Sequence, residues 1–143
     1  MEEGIKSIPD IVAEKFGVKT VDPATLSPLT MAFVGDAVYS IIIRTLVVCR
    51  GNTKSSRLHD MTSRLVSAKG QCMVADKWES EELLSEKERE IFRRGVNASP
   101  KSQAKNATTY QYHRATGVET LAGYLYLSGQ EERLTDLIRA GIE

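Results

Sequence analysis

Two carboxylates stand in apolar surroundings: Asp36 in MAFVGDAVYSIIIR, Met31 to Arg44, and Glu119 in GVETLAGYLYL, Gly117 to Leu127. An acid buried there without a partner is strongly unfavourable, and a glycine inside a helix costs about 1 kcal/mol against alanine. Yet each acid has small residues beside it, Gly35 and Ala37 in the first stretch, Gly117 and Gly123 in the second. Small residues let two helix backbones approach closely, and Gly123 lies one turn from Glu119 on the same face. Helices that cross at these positions bring the two carboxylates together.

Paired carboxylates in a poorly solvated site repel unless one is protonated or a cation lies between them. Oxygen-only ligands select a hard cation, and Mg²⁺ characteristically takes one or two protein carboxylates while keeping several waters. Mn²⁺ can substitute. Hydrated Mg²⁺ activates water and holds a phosphate oxygen, which is the chemistry of phosphodiester hydrolysis. Inert arrangements compete at this stage: Asp36 paired with Arg44 or pointing outward, and Glu119 paired with Arg114.

The elements that position these acids are helical throughout. Ser27 followed by Pro28 is a cap and a first helical position, opening a helix that runs to Arg50 and stops at Gly51. Pro9 to Phe16 predicts a short helix ended by Gly17. From Thr53 to Glu79, apolar residues recur at three- and four-residue steps, with Gly70 as the expected break. Ser85 with Glu88 forms a capping box for a helix through Arg94, closed by Gly95. Val96 to Tyr110, rich in Asn, Ser, Thr and Lys, reads as a mobile loop. Two further helices follow, separated at Gly129. The fold class is all-α.

The length of 143 residues suits one domain with a real hydrophobic core. Cys49 and Cys72 form no CxxC, so buried reduced thiols are expected rather than a disulfide framework or a zinc site. The acidic N-terminus is unlike a secretory signal, and Asp36 and Arg44 disfavour a membrane span through Leu29 to Val48. A buried core helix in a cytoplasmic protein is expected instead. Formal charge is zero, but six basic residues lie between Arg44 and Lys69 against the single acid Asp60. From Ile91 to Val118 the charges are Arg93, Arg94, Lys101, Lys105 and Arg114. That segregation can form a basic face on a neutral chain.

FVGDAVYSIIIR resembles the signature helix of the ribonuclease III domain, with its pattern Phe-Leu-Gly-Asp-Ala standing here as Phe33, Val34, Gly35, Asp36 and Ala37. ETLAGYLYLSG is similar to that domain's second catalytic helix, with Glu119 at the place of a metal-binding glutamate. LHDMTSRLVSAKGQ, FRRGVNA and an ending after LYLSGQEERLTDLI without an attached double-stranded-RNA-binding domain resemble the Mini-III branch. The likeness runs from Ser27 to Ile138, leaving residues 1–26 as an N-terminal extension to a catalytic domain over 27–143. Where a longer ribonuclease III carries further acids, this chain has Leu29, Ala32 and Thr116, which leaves the number of metal ions per site open.

The resemblance implies a homodimeric, Mg²⁺-dependent endoribonuclease that cuts double-stranded RNA, leaving 5′-phosphate and 3′-hydroxyl ends with a short 3′ overhang. It also implies maturation of precursor large-subunit (23S) ribosomal RNA. Asp36 and Glu119 are the implied catalytic and metal residues. Candidate RNA-binding residues are Arg64, Lys69, Arg93, Arg94, Lys101 and Lys105, because duplex RNA is gripped through phosphates and 2′-hydroxyls. The aromatic residues are read as core or dimer contacts. An alternative is a non-catalytic RNA-binding ribosome-assembly protein of the same fold, against which retention of both acids speaks. A metal phosphohydrolase built on His59 and Asp60 has too few histidines, since the chain holds only 2.

Overall fold

A computed structural model describes residues 6–98 and 108–143. Seven α-helices and one 3₁₀ turn at Pro23–Thr25 account for the regular structure among the described residues, with no strand. The helices are α1 (Ile8–Phe16), α2 (Pro28–Arg50), α3 (Ser55–Val66), α4 (Ala68–Ser80), α5 (Glu86–Ala98), α6 (Thr109–Leu127) and α7 (Glu131–Ile142).

The starts follow local capping chemistry. The Ser27 hydroxyl accepts from the Thr30 N–H at 3.3 Å, with Pro28 at the first helical position. Thr108 and Gln111 form a reciprocal capping box at the head of α6. Gly17 ends α1 in the left-handed conformation at φ 66°.

Helix α6 is the centre of the molecule, apolar around most of its circumference, and α2, α4, α5 and α7 pack around it. Met31, Tyr39 and Ile43 of α2 meet Val118, Leu121 and Leu125 of α6 in one core with Trp78, Ile91, Phe92 and Leu134. Trp78 Nε1 donates to the Leu137 carbonyl at 2.8 Å, tying α4 to α7. At the head of α5, Glu88 closes the capping box with Ser85 and also accepts two hydrogen bonds from Arg133 of α7, at 2.9 and 2.8 Å.

Several expected boundaries differ. The break between α3 and α4 falls at Ser67, whose hydroxyl accepts from the Gly70 N–H at 3.0 Å, and Gly70 lies within α4. Helix α5 continues past Gly95 to Ala98, so residues 96–98 and 109–110 of the expected loop are helical, and 99–107 lie outside the described residues. Cys72 is buried as expected, but Cys49 is exposed. Helix α2 is long and apolar enough to cross a membrane, and it is only in part a buried core helix. Its opposite face exposes Leu29, Phe33, Ile41 and Val48, with Phe33 at 81%.

Candidate active site

Helices α2 and α6 touch backbone to backbone. A Cβ on Gly35 would collide with the Glu119 carbonyl, and a Cβ on Gly123 with the Met31 carbonyl. No side chain larger than hydrogen fits at either point. The fully buried Thr120 hydroxyl locks the crossing, lying 2.8 Å from the Thr116 carbonyl of its own helix and 3.2 Å from the Pro28 carbonyl of α2. Gly95 of α5 lies against the same Thr120 and the Cα of Gly117.

This crossing fixes where the acids stand. Asp36 follows Gly35 and is exposed, Glu119 is half-buried, and the two carboxyl groups stand close enough to interact directly. Burial, then the negative charge of the nearby Asp36, push the Glu119 carboxyl up to about 8, although the Gln71 amide pulls the other way. Gln71 of α4 is 1% exposed, and its amide nitrogen, assigned from its hydrogen-bonding partners, donates to Glu119 Oε2 and the Ala115 carbonyl, both at 3.3 Å. Tyr39, fully buried one turn from Asp36, donates to the Leu65 carbonyl at 3.4 Å. Burial and the nearby Glu119 charge drive its hydroxyl above the usual phenol range.

The alternative partners named for the acids are engaged elsewhere. Arg44 Nε donates to the Ser40 hydroxyl at 3.1 Å. Arg114 pairs with Asp76 and Glu79 of α4, each at 2.8 Å, and lies over the rings of Phe92 and Tyr110. With neither arginine between them, Asp36 and Glu119 repel when both ionise, and a cation relieves that repulsion.

The donor set fits Mg²⁺. Two hard oxygen ligands converge on an open side of α2, leaving room for the waters that Mg²⁺ retains. Among the described residues no group of three or more His, Cys, Asp or Glu forms a dedicated metal cage. Of the three positions without an acid, Ala32 and Thr116 are buried, the latter donating to the Tyr112 carbonyl at 3.0 Å, and Leu29 is exposed.

The candidate RNA residues divide between two places. Arg64 and Lys69 are exposed on either side of the α3–α4 corner, whose Leu65 carbonyl meets Tyr39 and whose Gln71 meets Glu119. Exposed Arg93 lines a shallow pocket with Arg89, Phe92, Val96, Glu79 and Arg114, the last about one and a half turns along α6 from Glu119. Arg94 is half-exposed beside the Gly95 contact. Lys101 and Lys105 lie outside the described residues. In the sequence, Gln71 stands at the end of LHDMTSRLVSAKGQ and Tyr39 inside FVGDAVYSIIIR, with nothing beside either that marks its place near Glu119. The available signal was polarity on an otherwise apolar inner face of α4, where Cys72, Val74, Ala75 and Trp78 are also buried.

Residues 29–130 match the profile of the Ribonuclease III domain. The chain belongs to the ribonuclease III family. The Mini-ribonuclease 3 of Enterococcus faecalis is 44% identical over 117 residues, spanning 82% of this chain and 89% of that relative. The Mini-ribonuclease 3 of Brevibacillus brevis is 42% identical over 120 residues, spanning 84% of this chain and 88% of the relative. In three dimensions the chain resembles a crystal structure of a Fusobacterium nucleatum protein at a TM-score of 0.72 and 29% identity. That likeness covers 82% of this chain and 93% of the other. As a member of this family the chain is an endoribonuclease.

Proposed function

We propose that this endoribonuclease hydrolyses double-stranded RNA with Mg²⁺ held by Asp36 and Glu119, and that its substrate is precursor large-subunit ribosomal RNA in the cytoplasm. The observation that carries the metal assignment is the meeting of the two carboxyl groups where α2 and α6 cross at Gly35 and Gly123. When bound there, Mg²⁺ supplies the Lewis acidity that activates water and neutralises charge on the phosphate. Asp36, on the open side, presents its carboxylate toward the strand. Glu119, backed by Gln71, holds the inner position, and the rigid crossing keeps the pair in register. The ribosomal substrate is what the resemblance to the Mini-III branch implies, with residues 27–143 as the catalytic unit.

Duplex RNA is recognised by its A-form shape, phosphates and 2′-hydroxyls. Arg64 and Lys69 flank the corner that touches the site, and Arg93, Arg94, Lys101 and Lys105 complete the proposed grip. The exposed apolar stripe of α2, with Phe33 at its head, suits a second copy of the chain, and two such sites on one duplex account for cutting both strands. Incubation of the purified protein with a long RNA duplex, with and without Mg²⁺, followed by mapping of the ends, tests this function. Paired cuts that leave 5′-phosphates only when Mg²⁺ is present are expected. A duplex left intact at millimolar Mg²⁺ contradicts it.

A further inference from the structure

We propose that Gln71 is a positioning residue for the metal-holding pair, its buried amide fixing the Glu119 side chain beside Asp36. The two N–H groups of one amide match two acceptors on α6, the Ala115 carbonyl and Glu119 Oε2, which stand one helical turn apart. At 1% exposure, the amide is removed from water, where an unsatisfied polar group is costly. Its inward neighbours on α4 are Cys72, Val74, Ala75 and Trp78, so an aliphatic side chain of similar length would satisfy packing. What such a side chain cannot supply is the donor to Glu119.

Gln71 is itself held in place. The preceding Gly70 lies so close to the Arg64 and Leu65 carbonyls that a Cβ there would collide with them, and the Ser67 hydroxyl accepts from the Gly70 N–H. Tyr39 donates to Leu65 at the same corner. These contacts fix the shape of the α3–α4 corner, and the Tyr39 bond ties that corner to α2, which is itself held against α6 at Gly35 and Gly123, so the amide is presented to Glu119 at a fixed height. Groups that orient a metal-binding carboxylate in this way affect metal affinity or turnover by about 10- to 100-fold when removed.

This inference rests on the reading of Asp36 and Glu119 as the metal-holding pair, and the experiment separates the two. Binding of Mn²⁺ alone, without RNA, is followed on the full chain by the electron paramagnetic resonance of the free ion. Gln71→Met, close in length and lacking the donors, is expected to keep the helical circular dichroism spectrum and to bind Mn²⁺ about tenfold more weakly. On duplex RNA its kcat falls by about the same factor while KM stays near that of the parent. If the methionine variant fails to fold, Gln71→Asn, which withdraws the amide from Glu119, is read instead, with the same weakening expected. Asp36→Asn and Glu119→Gln are run beside it. Wild-type Mn²⁺ affinity in those two overturns the metal reading and this inference with it. Loss of binding in those two, with unchanged Mn²⁺ affinity and kcat in a folded Gln71 variant, overturns the role of Gln71 alone.

Discussion

At the scale of single residues, the site is set by one acid that water reaches and one that it reaches poorly. Asp36→Asn and Glu119→Gln are each expected to lower kcat on duplex RNA by about two orders of magnitude or more, with the helical spectrum intact, as steady-state cleavage assays will show. The metal-free protein offers an independent check. Glu119 titrates near 8 when folded against 4.5 for an ordinary glutamate, because burial and Asp36 disfavour its charge. Between those values the folded chain holds more protons than the unfolded chain, so the group is harmless below 4.5 and destabilising as pH rises through about 8. Glu119→Gln in the presence of a chelator should therefore raise Tm more at pH 9 than at pH 5. An equal change at both pH values would count against the buried pair.

At the scale of elements, glycine decides the geometry, and it does so in two ways that sequence alone does not separate. Gly17 and Gly129 take left-handed φ values at or just beyond helix ends, which is the use a chain-order reading expects. Gly70 and Gly95 were expected to break helices and instead lie inside them, where close approach of another backbone or of Thr120 needs the missing side chain. The Ser27–Pro28 start and the Ser85–Glu88 box were legible because caps are chemistry between neighbours. Gly35→Ala and Gly123→Ala should each destabilise the fold by about 3 kcal/mol, measured by urea unfolding, since both force α2 from α6. The α5–α7 tie makes a different prediction. Burial opposes ionisation of Glu88, but Arg133 and the Ser85 N–H and hydroxyl outweigh it and hold the carboxyl below its usual 4.5. Its stabilisation is present above 4.5 and disappears as pH falls through the lower folded value. Arg133→Met should cost about 1.5 kcal/mol at pH 7, allowing for an arginine that is 39% exposed, and much less at pH 3.

At the scale of the whole molecule, the sequence made the all-helical class readable and offered the meeting of the two acids as one arrangement among several. Of the small residues beside them, Gly35 and Gly123 mark the α2–α6 crossing, whereas Gly117 packs against α5 and Ala37 is exposed. It left the surroundings of Glu119 largely unread, since Gln71 comes from a distant point in the chain and its only local sign is a polar side chain on the apolar inner face of α4. Which apolar residues of α2 face the core and which, such as Leu29, Phe33, Ile41 and Val48, face outward is likewise not readable from a helix apolar along most of its length. Phe33→Asp is expected to shift the molar mass from dimer to monomer in light scattering. Arg64→Glu combined with Lys69→Glu should weaken duplex binding and flatten its dependence on salt by roughly two phosphate contacts. The most direct test is a crystal of the full chain soaked in Mn²⁺ and examined at the manganese absorption edge. The account predicts an anomalous peak within coordination distance of one oxygen each from Asp36 and Glu119. Manganese bound only elsewhere, with none between those carboxylates, would contradict it.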